Sequence, residues 1–148
     1  MKNLAILLDK VNNSQKFFSL AQSLNSICND INAVVFACEI EQANIRTNFP
    51  IMEMVHGYVF DGIVISTDFY TTSIMNNIMM ATDKYYYQWD IEHIYNQYSF
   101  AFLRTVFKNK VIARNEYRYN YLKSTWREPE FIMQEFNHER LERLFSTK

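Results

Sequence analysis

The chain has 148 residues, of which 49% are hydrophobic, and its formal net charge is −1. This length and composition are typical of one globular domain with a packed core, and they exclude a disordered or fibrous chain. A net charge near zero gives no overall field that would attract nucleic acid or a membrane surface. Because the chain has only two glycines, glycine-dependent phosphate-binding loops are nearly excluded.

The cysteines and the apolar start of the chain indicate its compartment. Cys28 and Cys38 form neither a C-x-x-C pair nor a His/Cys ligand spacing, so we expect reduced, buried thiols. The apolar run at residues 4–8 is broken by Asp9 and is far shorter than a membrane span of about 20 residues. We therefore expect a cytoplasmic protein without membrane contact, folded as a single domain over residues 1–148.

Short apolar runs alternate with stretches of helical spacing, which predicts a parallel sheet built from β-α-β units. The predicted strands are residues 4–8, 33–37, 63–66, 85–89, 111–113 and 131–133. Helices are predicted between them, over about 12–29, 50–59, 71–79, 94–106 and 114–128, and a last one from 137. The predicted fold class is α/β: a doubly wound, mostly parallel, five- to six-stranded Rossmann-like sheet with helices on both faces.

Polar side chains follow several predicted strands, and the carboxyl ends of parallel strands meet at one edge of the sheet. The candidate ligand-binding residues at this edge are Asp9 and Asn12 after strand one, Ser66 in strand three, and Arg114 and Asn115 after strand five. Arg114 enters a helix start, where its guanidinium and the free backbone N–H groups could hold an anion. The alternative is a solvated arginine paired with nearby glutamates.

The fourth strand ends in two carboxylates and an imidazole, Asp90, Glu92 and His93. A strand order of 3-2-1-4-5 makes strands one and four neighbours, which places this cluster near Asp9. Asp90 and His93 are then candidate catalytic residues for general acid–base chemistry, and Glu92 is a candidate ligand contact. The alternative is structural, because a carboxylate at this position also stabilises the start of the following helix.

The chain is rich in aromatic residues, which make up 16% of it. The run of tyrosines at 85–87 and the alternation at 117, 119 and 121 suggest stacking surfaces for bases or sugars. Burial in a strand and a helix explains most of these rings, so nucleic acid is not an expected partner.

The predicted order of strands and helices over most of the chain resembles the N-terminal Rossmann-like domain of GT-B glycosyltransferases, and two segments resemble it in their residues. In residues 111–122 an apolar triplet leads into a helix start and then a leucine, and Asn115 stands where that family usually has a serine. Residues 131–137 resemble the strand before the family's nGvD segment, although the glycine is missing here. Enzymes of this family have two such domains, and the second chiefly holds the sugar-nucleotide donor.

The resemblance implies a half domain that binds an anionic or sugar-containing small molecule, such as a nucleotide sugar, without complete catalysis alone. No cofactor is expected. The composition, rich in Asn, Ile, Tyr and Met with few glycines, also resembles that of small proteins that tailed phages encode. Two alternatives stay open. One is a non-enzymatic interaction module, either a homo-oligomer or a protein with a partner chain. The other is a hydrolase or transferase that uses a divalent metal held by Asp9, Asp90 and Glu92.

Overall fold

Seven parallel strands form one sheet in the computed structural model, which describes residues 2–90, 97–134 and 138–146. The strands are β1 (Lys2–Val11), β2 (Ile31–Ile40), β3 (Ile51–Glu53), β4 (Ile63–Ser66), β5 (Asp83–Gln88), β6 (Lys110–Ala113) and β7 (Phe131–Ile132). Their order across the sheet is β3-β2-β1-β4-β5-β6-β7. The predicted fold class is confirmed, with one strand more than the largest predicted number.

Helices cover both faces of the sheet and give three layers. The helices are α1 (Gln15–Ile27), a 3-10 helix (Met54–Val59), α2 (Phe69–Met75), α3 (Phe100–Phe107), α4 (Glu116–Thr125) and α5 (His138–Ser146). The side chains of α1 and α5 share a core cluster on one face, and those of the other helices pack in two clusters on the opposite face. This arrangement follows from the parallel connections, which return each helix across the sheet.

The central strand β1 is buried on both faces. Leu4, Ile6 and Leu8 pack in the cluster that contains α1, while Ala5 and Leu7 point into the opposite cluster. A strand covered on both faces needs apolar residues at every position, because alternate side chains point to opposite sides. The unbroken apolar run therefore correctly predicted a strand in the interior of the sheet.

The prediction for residues 50–59 was wrong in type. The segment contains strand β3 and a 3-10 helix instead of an α-helix. The amide of Val35 donates to the carbonyl of Pro50 at 3.0 Å, which extends the pairing between β2 and β3. Gly57 lies against the ring of Phe36, where a Cβ atom would stand 3.2 Å from the ring carbons. Pairing and packing with β2 thus outweighed the helical spacing of a few apolar residues.

The strand order also differs from the predicted order 3-2-1-4-5. Strand β3 occupies the position beside β2 that the prediction gave to residues 63–66. Those residues form β4, which pairs with β1, and the strand that contains Tyr85 pairs with β4. The expected contact between residues 4–8 and 85–89 is therefore wrong. The position where the strand order reverses lies between β1 and β4, so a ligand site is expected at their carboxyl ends.

Candidate ligand-binding cleft

An open cleft of about 720 Å³ lies at the carboxyl ends of β1 and β4. Its volume falls within the range of about 300 to 1,000 Å³ that is usual for small-molecule sites. The loop after β1 and the start of α1 form one wall, and the loop after β4 and the start of α2 form the other. Asp90, which follows β5, and two rings near the start of α3 complete the lining.

The β4 wall is held by a set of short hydrogen bonds. Asp68 caps α2, accepting from the amide of Thr71 at 2.7 Å, and the Thr71 hydroxyl accepts from the Asp68 amide in return. The hydroxyl of Thr67 donates to the carbonyl of Leu7 at 2.9 Å, which ties this wall to β1. These bonds tie the wall to the start of α2 and to β1.

The β1 wall begins with a capped helix. Ser14 is the N-cap of α1, and its hydroxyl accepts from the amide of Phe17 at 3.2 Å. Asn12, which also lines the cleft, has a buried side-chain oxygen with no hydrogen-bond partner among the described residues. An unsatisfied buried acceptor costs about 1 to 3 kcal/mol, so a donor supplied by a ligand is favoured at this position.

The charges in the cleft are mainly negative. Within the described ranges, the exposed carboxylates of Asp9 and Asp90 take part in no ion pair, whereas Asp68 lies 3.7 Å from the ammonium of Lys16. The positive charge of Lys10 is compensated by Glu39, because its ammonium lies 3.0 Å from a carboxylate oxygen of that residue. The hydrogen bond to Glu39 raises the pKa of Lys10, which keeps this ammonium charged and paired.

Aromatic rings form the remaining side of the cleft. Tyr98 meets Phe69 edge to face at a centroid distance of 5.0 Å and stacks on Phe102 at 5.3 Å. Tyr70, in the first turn of α2, is 59% exposed and offers its ring to solvent at the cleft. The cleft therefore combines unpaired carboxylates with accessible ring faces.

Three of the predicted site residues meet in this cleft: Asp9, Asn12 and Asp90. Ser66 lies close by but is fully buried, and its hydroxyl is hydrogen-bonded to that of Thr72 at 2.7 Å. Ser66 thus supports the β4 wall from below instead of lining the cavity. Glu92, the candidate ligand contact of the fourth strand, lies outside the described residues, as does His93, so their roles stay predictions.

Arg114 and Asn115 stand at the start of α4 and are not among the lining residues of the cleft. The guanidinium of Arg114 lies over the Trp89 ring, 3.7 Å from its centroid. Asn115 is the N-cap of α4 and accepts from the amide of Arg118 at 2.9 Å. The predicted helix start is therefore confirmed, and the predicted anion site of Arg114 stays a prediction.

Tyr70 and Tyr98 were not among the candidate residues. Tyr70 follows the capping residue Asp68 by two positions. An Asp before an apolar segment is a signal for a helix start, and that signal would have placed Tyr70 in the first turn of α2. Tyr98 precedes α3, and its position depends on the packing of α3 near α2. No local sequence pattern reports that contact.

The sheet topology and the cleft together define a Rossmann-like α/β domain with an open site at the point where the strand order reverses. No family model, curated protein or solved structure matches the chain.

In the part of the chain that the structure describes, no helix has the length and apolar character needed to cross a membrane. Among those same residues, no group of three or more His, Cys, Asp or Glu side chains could hold a metal ion.

Proposed function

We propose that the chain is a glycosyltransferase-like half domain that binds a sugar-containing small molecule in the cleft, without complete catalysis alone. The observation that carries this proposal is the presence of two carboxylates, Asp9 and Asp90, that form no ion pair with any described residue and line the cleft together with the accessible ring of Tyr70. These groups lie where open parallel α/β sheets bind their ligands.

The hydroxyl groups of a sugar suit the acceptors of the cleft. Carboxylates accept hydroxyl donors in charge-assisted hydrogen bonds, and Asp9 and Asp90 have oxygen atoms to spare for them. The C–H face of a pyranose ring can pack on the ring of Tyr70, which adds apolar contact without requiring charge.

The charge of the cleft favours a neutral sugar group over a strongly anionic one. An anion would meet Asp9 and Asp90, and the lysines nearby are already paired with carboxylates. Like charges brought together in a partly desolvated site oppose binding. If the ligand carries a phosphate, we expect that group to lie toward Lys16 at the start of α1, where an anion has the most favourable surroundings.

Titration of the protein with a panel of monosaccharides and nucleotide sugars, followed by calorimetry, tests the proposal. We expect at least one sugar to bind, and we expect Tyr70→Ala and Asp9→Asn each to weaken that binding roughly tenfold. Asp61→Asn is the matched control, because Asp61 is an exposed carboxylate at the opposite edge of the sheet. If no sugar of the panel binds, the proposal is wrong. If a sugar binds and only Arg114→Ala weakens its affinity, the cleft is not the binding site.

A second candidate function is an interaction module that forms a homo-oligomer. Exposed apolar side chains of Ile40, Met52 and Val55 lie at the β3 edge of the sheet, where soluble proteins usually carry polar residues. Light scattering at several protein concentrations tests this candidate, and a dimer that Val55→Lys converts to a monomer would support it. A monomer at every concentration would count against it.

A further inference from the structure

A second groove, lined mainly by aromatic side chains, runs between α3 and α4 and has a volume of about 420 Å³. Four of its six lining residues are aromatic: Tyr98, Phe100, Tyr121 and Trp126. Leu103 and Thr125 complete the lining among the described residues, and the guanidinium of Arg104 lies over the ring of Phe100, 5.0 Å from its centroid. The groove therefore suits a ligand that offers flat or apolar faces.

The rings at the base of this groove are held in place. Trp126 stacks on the buried Phe107 with ring centroids 4.7 Å apart and an interplanar angle of 12°. Phe100 lies on the solvent side, 5.8 Å from Trp126 at 30°, and is itself 64% exposed. A rigid ring that is already oriented loses little conformational entropy when a ligand packs on it.

Tyr98 lines both the groove and the cleft at the ends of β1 and β4. The two cavities are therefore neighbours across a single side chain. A ligand longer than one sugar ring that is bound in the cleft can continue over Tyr98 onto the exposed ring of Phe100.

We propose that the groove is a second sugar subsite and that the ligand of this domain is an oligosaccharide or the end of a glycan chain. This inference rests on the proposed function of the cleft. The first sugar occupies the carboxylate-lined cleft, and the next sugar packs its C–H face on the exposed ring of Phe100, where it displaces the guanidinium of Arg104. The groove then sets the preference for chain length, while the cleft recognises the hydroxyl pattern.

Binding of a chain-length series tests this inference. The probes are glucose, galactose and N-acetylglucosamine, each with its linear oligomers of two to four units, titrated by calorimetry. We expect the oligomers of the sugar that binds to do so about tenfold more tightly than the monomer. Phe100→Ala is expected to abolish that difference and leave the monomer affinity unchanged. The substitution replaces the first residue of a helix that Ser99 caps, so the fold should tolerate it.

Tyr117→Ala is the control, because Tyr117 is also an exposed helical aromatic residue, 73% accessible, but lines neither cavity. It is expected to change neither affinity. If the monomer binds and Tyr70→Ala weakens it, but the oligomers gain nothing, the second subsite is overturned and the cleft proposal stands. If neither monomers nor oligomers bind, both proposals fall. A proline-rich decapeptide that binds in a Phe100-dependent way would also overturn the sugar subsite, because it assigns the groove to a protein partner.

Discussion

The side-chain hydroxyls of Ser66 and Thr72 lie 2.7 Å apart in a fully buried hydrogen bond beneath the β4 wall of the cleft. The bond joins the last residue of β4 to the second turn of α2. Ser66 was predicted as a ligand-binding residue, but its hydroxyl lies under the cleft and is hydrogen-bonded within the wall.

Ser66→Ala should lower the free energy of unfolding and leave ligand affinity unchanged. The expected loss is about 1 kcal/mol, the usual contribution of one buried hydrogen bond. Thr72 keeps its bond to the carbonyl of Asp68 at 2.6 Å, which limits the damage. Urea denaturation measures the first effect and sugar titration the second. A variant of wild-type stability that binds sugar poorly would mean that Ser66 contacts the ligand.

Two substitutions of Asp68 separate its two roles. Asp68→Ala removes the cap of α2 and should destabilise the protein by about 1 kcal/mol. Asp68→Asn keeps a capping side chain and removes only the ion pair with Lys16, which is partly exposed and contributes little. Thermal unfolding of both variants should therefore rank them as wild type, then Asn, then Ala. Equal losses for the two variants would mean that charge, not capping, holds the wall.

Gly62→Ala should be one of the most damaging single substitutions in the chain. Gly62 has a φ of +149°, and a Cβ atom there would stand 2.6 Å from the carbonyl oxygen of Asn3. Strain of this kind costs on the order of 1 to 3 kcal/mol, and the contact with the backbone adds to it. Gly57→Ala provides the comparison, because its Cβ would meet only the side chain of Phe36 at 3.2 Å. Chemical denaturation should give a clearly smaller loss for Gly57→Ala, and the reverse order would contradict the geometry.

The thiol of Cys38 should react slowly with iodoacetamide at mildly alkaline pH. Partial burial, and then the negative charges of Asp9, Asp68 and Glu39, raise the pKa of Cys38 above its ordinary value of 9.0. The reactive thiolate is therefore scarcer in the folded protein than in the unfolded chain at pH 9, and the rate should rise only at higher pH.

The pH profile of Cys38 alkylation can be measured in a Cys28→Ser background, so that one thiol reports. Asp9→Asn removes one of the charges that raise the pKa, so the midpoint of the profile should move to lower pH. An unmoved midpoint would mean that Asp9 does not act on Cys38. The same measurement with a bound sugar reports whether the ligand changes the effect of the Asp9 charge on Cys38.

The sequence predicted correctly those helices and strands that are determined by residues close together in the chain. The apolar run in β1 and the predicted helix starts near residues 12 and 114 appear in the structure, where Ser14 caps α1 and Asn115 caps α4. The segment around Gly57 could not be predicted in this way, because its conformation depends on pairing with β2 and on the ring of Phe36. Long-range contacts of this kind leave no periodicity in the segment itself.

The candidate site was predicted in part, although the strand order from which the proximity of Asp9 and Asp90 was predicted is wrong. Asp9 and Asp90 line the same cleft although their strands are separated by β4. All parallel strands bring their carboxyl ends to one edge, so residues that follow different strands converge there in many strand orders. The aromatic side of the cleft depends on how α3 packs near α2, which the sequence alone does not report.

Strand β1 is synthesised before the other six strands of the sheet, and this has a consequence for folding on the ribosome. β1 pairs with β2 on one edge and with β4 on the other, and β4 ends only at Ser66. Until then the nascent chain holds an apolar strand with one open edge, the arrangement most prone to pair with another chain. Slow translation of the segment before β4 should therefore increase aggregation, whereas a pause after Ser66 should be harmless.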